Sequence, residues 1–164
     1  MTYVVPKIPG IYSLVIDVRA YAYVFVGAMG ILSFSPGYYI YTGSARGKAS
    51  MNLHYRLRRH LQDTKKERWH IDYLLKHVTT RLRNVFYFET LKDLECAVTQ
   101  SIVKAPSVHA IHKGFGASDC RNRCYSHLCQ AENLDLKALL RYLSDVYNKF
   151  STSYQIINNL CHRL

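Results

Sequence analysis

The chain has 164 residues, the length of one ordinary domain, and its 22 Lys and Arg against 11 Asp and Glu give a net charge of +11. A globule of this size buries about 70% of its unfolded surface, so it can fold without disulfides or metals. With 49% hydrophobic and 20% charged residues, the composition excludes a disordered chain. The sequence has no long apolar run and no visible secretory signal, so we expect a cytoplasmic protein without a membrane partner.

The positive charge is concentrated in one segment of the chain. Residues 46–83 contain 11 basic and 3 acidic residues, so +8 of the net +11 lies there. A clustered positive field attracts phosphate, and much of the affinity of proteins for nucleic acids is electrostatic. We therefore expect a nucleic-acid partner, although a basic face that only keeps the protein soluble has the same composition. The candidate backbone contacts are Arg46, Lys48, Arg58, Arg59, Lys65, Lys66 and Arg68.

The first third of the chain predicts strands. Alternating side chains and β-branched or aromatic residues indicate four of them, over residues 11–18, 21–26, 31–34 and 38–42. The segment Ser35-Pro36-Gly37 is a strong turn signal before the last of the four. We expect the strand before that turn to continue the same sheet.

Helical periodicity begins after Gly47. Leu53, Leu57 and Leu61 recur every four residues, which is typical of one helix face. The remaining elements are expected to be helices over residues 69–77, from a cap at Thr90 to about residue 103, and over 134–150, with strands over 81–88 and 108–111.

This order of elements predicts an α/β protein of the α+β type. We expect a small, mainly antiparallel sheet flanked by helices, with an extra helix at the carboxyl end. The domain is expected to span residues 1–130, followed by a helical extension over 131–164 packed on the same domain. The apolar stripe of that last helix packs either on the domain or against a second copy in a homodimer.

Three motifs carry a resemblance to a known nuclease fold. Pro9-Gly10-Ile11-Tyr12 opens the first strand, Tyr41-Thr42-Gly43 ends a later one, and the following helix carries Arg56 and His60. With these motifs the sequence resembles the GIY-YIG nuclease superfamily. It resembles most closely the branch called domain-of-unknown-function family 123, some of whose members are fused to an endonuclease III-like protein. This resemblance runs from about residue 8 to 128 and includes Gly37-Tyr38-Tyr39, Ser44-Ala45, residues 69–75, Glu95-Cys96, Gly114-Phe115-Gly116, Asp119-Cys120, Cys124 and His127-Leu128.

The resemblance implies a metal-dependent endonuclease that hydrolyses phosphodiester bonds, preferentially in DNA and in repair or processing. It implies that one of Tyr12 and Tyr41 assists the attacking water while the other shapes the site, and that Glu95 binds Mg²⁺ or Mn²⁺. Arg56 and His60 share one helical face, where a planar guanidinium suits phosphate and an imidazole can move a proton or orient water. A phenol with a pKa of about 10 is a poor base, and we expect the arginines of this helix to lower that pKa.

Each of these assignments has an alternative without catalysis. Tyr12 and Tyr41 can be core aromatics, because the chain contains 14 tyrosines. Arg56 can be a solvated helix residue, and Glu95 can form a salt bridge to a basic side chain such as Arg56. The chain would then be a non-catalytic nucleic-acid-binding module with the same scaffold.

Five cysteines, an odd number, argue against a secreted disulfide framework. Cys120, Cys124 and His127 have a spacing compatible with Zn²⁺, and either Asp119 or Cys129 is the candidate fourth ligand. The alternatives are a disulfide between Cys120 and Cys124, or free thiols that only pack. A zinc-stabilised interaction domain built on this cluster and the last helix is the third functional hypothesis.

Two further segments are expected to serve the fold rather than the chemistry. His70 and Asp72 more often satisfy a buried hydrogen-bond network than approach an active site. Gly114 and Gly116 indicate a tight turn rather than a phosphate-binding loop.

Overall fold

The computed structural model describes residues 4–47, 51–62, 64–158 and 160. Its strands are β1 (Gly10–Val18), β2 (Ala22–Phe25), β3 (Ile31–Phe34), β4 (Gly37–Ala45), β5 (Thr80–Glu89), β6 (Val108–Ala110), β7 (Leu128–Ala131) and β8 (Gln155–Ile157). Its helices are α1 (Leu53–Leu61), α2 (His70–Lys76), α3 (Glu95–Ile102) and α4 (Leu136–Asn148). Six strands form one antiparallel sheet in the order β6-β7-β4-β1-β5-β8, so the predicted α+β fold is confirmed.

The central strand β1 separates two hydrophobic cores. Successive side chains of a strand point to opposite faces, so Tyr12, Leu14 and Ile16 enter the core shared with α1 and α2. Ile11 and Val15 enter the core that contains α3 and α4. Because both faces of β1 are covered, its sequence is a nearly continuous apolar run.

The segment after β1 does not continue the sheet, and in this respect the prediction was wrong. β2 and β3 pair only with each other, as a separate two-stranded ribbon joined by a short 3₁₀ turn at Gly27–Met29. Gly27 begins the turn and Gly30 follows it, with φ angles of 47° and 75°, a left-handed region that favours glycine. The inward side chains Val24 and Phe34 pack on the α1–α2 core, whereas the outward face of the ribbon is exposed.

The third helix begins four residues later than predicted. Thr90 does not cap it, because the Thr90 N–H donates to the Pro9 carbonyl and its hydroxyl accepts from the Lys92 N–H. Asp93, expected near the cap, forms an ion pair with Arg46 at 3.0 Å. α3 starts after Leu94, which provides no side-chain cap.

The carboxyl-terminal part of the chain contributes two strands that the sequence analysis missed. β7 joins β4 to β6, and β8 pairs with β5 at the other edge of the sheet. Between them, α4 begins at the cap Asp135, whose carboxylate accepts from the Ala138 N–H. The apolar stripe of α4 packs on the chain's own sheet and is therefore not available to a second copy; its buried members are Leu139, Leu143, Val146 and Tyr147. Within the described residues, no helix combines the length and the apolar character needed to cross a membrane.

Candidate active site and metal-binding cluster

A cleft of about 740 Å³ opens where β1 and β4 meet the amino-terminal ends of α1 and α3. Residues predicted from separate motifs line it together, although they lie as far apart in the sequence as Tyr12 and His127. The lining includes Tyr12, Tyr41, Arg56, Trp69, Glu95, Cys96, Cys120 and His127.

Glycines make room for the two tyrosines of the cleft. The strand register places Tyr12 opposite Gly43, and a Cβ on Gly43 would lie 2.9 Å from Tyr12 Cε2. In the same way, a Cβ on Gly116 would lie 2.6 Å from Tyr41 Cε2. Real Cβ atoms do not approach this closely, so the glycine of the Tyr41-Thr42-Gly43 motif is needed for the position of the Tyr12 ring.

Tyr12 is hydrogen-bonded to His60 behind the cleft, with 2.8 Å between the hydroxyl and Nε2. Both side chains are buried. His60 lies one helical turn after Arg56 in α1, so both residues are on the side of the helix that faces β1. Burial, followed by the nearby charge of Lys65, lowers the pKa of His60 to about 3, so its imidazole is neutral at physiological pH.

The expected lowering of the tyrosine pKa values is wrong. Burial raises the pKa of Tyr12 well above its ordinary value, and the opposing charge of Arg56 is too small to compensate. Burial likewise raises the pKa of Tyr41, with Tyr12 and Glu95 adding to the effect. Both phenols therefore stay protonated at neutral pH and can act as hydrogen-bond donors or acceptors rather than as bases.

Arg56 is held by an aromatic ring rather than by an acid. Its guanidinium carbon lies 4.1 Å from the centre of the Trp69 ring, a cation–π geometry. Its Nε is buried and has no hydrogen-bond partner among the described residues. The guanidinium therefore lines the cleft with unused donor capacity.

Arg59 also lies over Trp69, at 4.8 Å, but its charge is matched within the fold. It donates to Asp72 Oδ2 at 2.7 Å, and the same oxygen accepts from the backbone N–H groups of Arg68 and Trp69. Burial raises the pKa of Asp72, but these hydrogen bonds outweigh it and the net pKa is lowered. The buried network expected around Asp72 is present, and Arg59 belongs to it.

Apart from Arg59, the candidate nucleic-acid contacts fall into four groups. Lys65 is buried and donates to the backbone carbonyls of Arg59 and His60 at the end of α1. Its ammonium therefore stabilises the fold, and the predicted contact with the nucleic-acid backbone is wrong. Arg46 lines the cleft, whereas Lys48 lies outside the described residues. The exposed members are Arg58, Lys66 and Arg68.

Glu95, the first residue of α3, lines the cleft with 21% of its side chain exposed. Its Oε1 lies 3.1 Å from His127 Nδ1, so the ion pair expected with Arg56 as an alternative is replaced by a pair with a histidine. The charge of Glu95 raises the pKa of the nearby Tyr12 and Tyr41.

Beside Glu95, three thiols and one imidazole converge to form a Cys/His cluster: Cys96, Cys120, Cys124 and His127. Their ligand atoms all lie within 4.8 Å of one another, so the cluster could hold a metal ion. Cys96 Sγ is 3.2 Å from Cys120 Sγ and 3.6 Å from His127 Nε2. Burial raises the pKa of Cys120, but backbone donors at Cys124 and the Cys96 thiol bring it to about 7, toward the thiolate that binds metals. Burial raises the pKa of Cys96 and of Cys124, so without a metal these two thiols stay protonated.

The predicted fourth ligand was wrong. Asp119 is exposed, and Cys129 is buried on the other face of the sheet, where burial raises its pKa to about 12. The fourth position belongs to Cys96, which sequence spacing missed because it lies on α3, 24 residues before Cys120. The sequence feature that could have identified Cys96 is its position next to Glu95, in the pair Glu95-Cys96 that belongs to the family resemblance. The described cysteines are all free thiols, so the disulfide alternative does not hold for Cys120 and Cys124.

The loop that carries three of the cluster residues contains several left-handed backbone positions. Gly114 and Gly116 have φ angles of 84° and 66°, and His112 and Arg123 also have positive φ. The Gly116 N–H donates to His70 Nδ1 at 3.1 Å, which ties the loop to α2. The glycines thus permit tight turns, as expected, whereas His70 is only partly buried and accepts this one hydrogen bond from the loop.

Comparison with known proteins gives a family but no characterised relative. No curated protein and no solved structure matches the chain. The model of one protein family, the domain of unknown function DUF123, matches residues 11–151. This match includes α4, which the motif resemblance had left outside, and covers most of the chain. The chain therefore belongs to the DUF123 family.

Proposed function

We propose that this protein is a metal-dependent endonuclease of the GIY-YIG type, which hydrolyses phosphodiester bonds in nucleic acid, preferentially DNA. The observation that carries the proposal is the convergence of Tyr12, Tyr41, Arg56 and Glu95, from four different elements, on one cleft. Phosphodiester hydrolysis requires a positioned water, charge neutralisation at phosphorus and help for the leaving oxygen. Residues able to supply the first two functions lie side by side here.

Arg56 is the residue proposed to bind the scissile phosphate. A guanidinium offers several donors in a plane that matches phosphate oxygens. The Trp69 ring holds this plane in place, and the side chain lines the cleft without an acidic partner among the described residues. Arg59, by contrast, is bound to Asp72. Of these two arginines, Arg56 is therefore the one equipped for a substrate anion.

Tyr12 and His60 are proposed to orient the attacking water. Since the phenol stays protonated and the imidazole neutral, the hydroxyl can donate to His60 Nε2. A lone pair of the phenol oxygen then remains to accept a hydrogen bond from water in the cleft. Tyr41, on the neighbouring strand, shapes the opposite side of this position.

Glu95 is proposed to bind Mg²⁺ or Mn²⁺. Mg²⁺ keeps several waters and is commonly bound by one or two carboxylates together with substrate phosphate oxygens. A partly exposed carboxylate on the wall of the cleft fits that description. When bound, the ion would neutralise charge that develops on the phosphate.

We further propose that the Cys/His cluster binds Zn²⁺ as a structural site. Three cysteines and one histidine form a complete tetrahedral ligand set without a place for water. Zinc–sulfur and zinc–nitrogen bonds of about 2.3 and 2.0 Å require ligand atoms within roughly 4 Å of one another, close to the arrangement found here. The ion would connect α3 to the loop before β7.

A nuclease assay on a substrate panel tests the proposal. Duplex, single-stranded, flap, junction and abasic DNA, and RNA, would each be incubated with Mg²⁺, Mn²⁺ or EDTA. We expect metal-dependent cleavage that Glu95→Ala abolishes. Glu132→Ala is the matched control, because that glutamate lies outside the cleft and is more than half exposed. Binding without cleavage under every condition would instead support a non-catalytic nucleic-acid-binding module, in which the buried Tyr12 and Tyr41 serve as scaffold.

A further inference from the structure

The two nitrogens of His127 face different sites. Nε2 points toward the Cys/His cluster, 3.6 Å from Cys96 Sγ, and Nδ1 lies 3.1 Å from Glu95 Oε1. The side chain is only 3% exposed, so the ring cannot turn without repacking its surroundings. His127 is therefore a rigid connection between the cluster and the cleft.

A metal ion on Nε2 would determine which atom of His127 donates to Glu95. Coordination occupies the lone pair of Nε2, so the single ring proton must lie on Nδ1. Nδ1 is buried and has no hydrogen-bond partner among the described residues, and Oε1, 3.1 Å away, is close enough to accept that N–H after a small rotation of the carboxylate. Histidine ligands of metals are commonly oriented by a carboxylate on their other nitrogen, and such partners tune metal affinity.

The beginning of α3 strengthens this connection. Glu95 and Cys96 are consecutive residues in its first turn, and the preceding Leu94 supplies no side-chain cap. A metal bound to Cys96 and His127 would therefore fix the backbone of Glu95 on one side and its carboxylate on the other. One carboxylate oxygen is then held by His127, and the second remains for a cation in the cleft.

We infer that the metal ion of the Cys/His cluster positions the Glu95 carboxylate in the cleft through His127, so that Glu95 serves both metal sites. The inference rests on the zinc and magnesium sites of the proposed function. It makes Glu95 a positioning residue for the cluster metal in addition to its role toward Mg²⁺. In turn, loss of the cluster metal weakens cation binding in the cleft.

The affinity of the cluster for metal, measured without nucleic acid, tests the inference. Co²⁺ would be titrated into the full chain, its thiolate and d–d absorption bands recorded, and Zn²⁺ affinity measured by competition with a chromophoric chelator. We expect Glu95→Ala to weaken Zn²⁺ binding about 10–100-fold. Glu95→Gln, which keeps an acceptor oxygen, is expected to recover part of this loss, and Glu132→Ala to bind as the wild type does.

A second readout measures whether a cation in the cleft affects the metal in the Cys/His cluster. Addition of Mg²⁺ to the Co²⁺-loaded protein is expected to shift the d–d bands of the wild type but not those of Glu95→Ala. Equal Zn²⁺ affinity of Glu95→Ala and wild type would overturn the inference while leaving the zinc centre intact. A wild-type protein that binds no Co²⁺ or Zn²⁺ would overturn the centre and the inference together. Neither result depends on whether the protein cleaves nucleic acid.

Discussion

Removal of Cys96 tests whether the Cys/His cluster is a metal site or a packed group of thiols. Cys96→Ala deletes the ligand that α3 contributes and leaves three ligands on one loop. Cys129→Ala is the matched control, because that thiol is 1% exposed, against 7% for Cys96, but lies on the other face of the sheet. If packing were the only role of these thiols, Cys129→Ala would destabilise the protein at least as strongly as Cys96→Ala.

The expected magnitude follows from ligand linkage. A metal present at 1,000 times its dissociation constant stabilises the native state by about 4 kcal/mol. For a chain of this length each kcal/mol shifts Tm by about 2–4 °C, so Cys96→Ala should lower the Tm of the zinc-loaded protein by roughly 8–16 °C. EDTA should produce a similar loss in the wild type and no further loss in Cys96→Ala.

Metal analysis of the purified proteins and thermal melts would check this prediction. We expect one equivalent of zinc in the wild type and in Cys129→Ala, and none in Cys96→Ala. Retention of one equivalent by Cys96→Ala would refute the ligand assignment, as would a Tm that does not respond to EDTA in the wild type.

Three further perturbations probe the neighbourhood of the cleft. Gly43→Ala places a Cβ 2.9 Å from Tyr12 Cε2, so we expect overpacking to cost about 1–3 kcal/mol and lower the Tm; an unchanged Tm would contradict the close approach. Because burial chiefly lowers the pKa of His60 to about 3, the unfolded chain binds a proton at His60 below pH 6.5 while the native chain does not. Stability should therefore fall as the pH drops from 6.5 toward 3, by up to about 1.4 kcal/mol per pH unit. Urea unfolding at a series of pH values should show that the unfolding free energy of His60→Asn falls less steeply with decreasing pH than that of the wild type. An equal pH dependence of the two proteins would argue against a buried neutral histidine. Asp72→Ala removes the partner of Arg59, which is itself 24% exposed, so we expect a loss near the lower end of the about 3–5 kcal/mol typical of broken buried pairs, and an unaltered urea midpoint would speak against the network.

The sheet and the cleft tyrosines could be predicted because their signals are local. β1 and β4 are long, apolar and bounded by turns, and the glycines after Pro9 and Thr42 mark where each strand must approach a neighbour closely. Placing Tyr12 and Tyr41 on adjacent strands then followed from the motif resemblance, and the register confirms it. β7 and β8 were not predicted, because strands of four and three residues are too short to show a recognisable alternation of apolar and polar residues.

The fourth cluster ligand and the tyrosine pKa values depend on the folded arrangement. Spacing along the chain identifies ligands within one loop, but Cys96 reaches the cluster only because α3 packs beside that loop. Likewise, the number of nearby arginines does not reveal how far water is excluded from Tyr12, and exclusion dominates its pKa. Lys65 shows the same limit, since a charge count does not distinguish a surface cation from one that caps a helix.

Single-turnover cleavage by Arg56→Ala, measured beside Arg58→Ala, tests the proposed endonuclease most directly. The two arginines lie on the same helix, but Arg56 lines the cleft and Arg58 is exposed away from Trp69. We predict that Arg56→Ala cleaves the best substrate of the panel about 10²–10³-fold more slowly than wild type with little change in Kd, as expected for a lost transition-state contact. Arg58→Ala should keep the cleavage rate within a few-fold and weaken binding instead. Equal cleavage by Arg56→Ala and wild type, or a wild-type protein that cuts no substrate with any metal, would contradict the account.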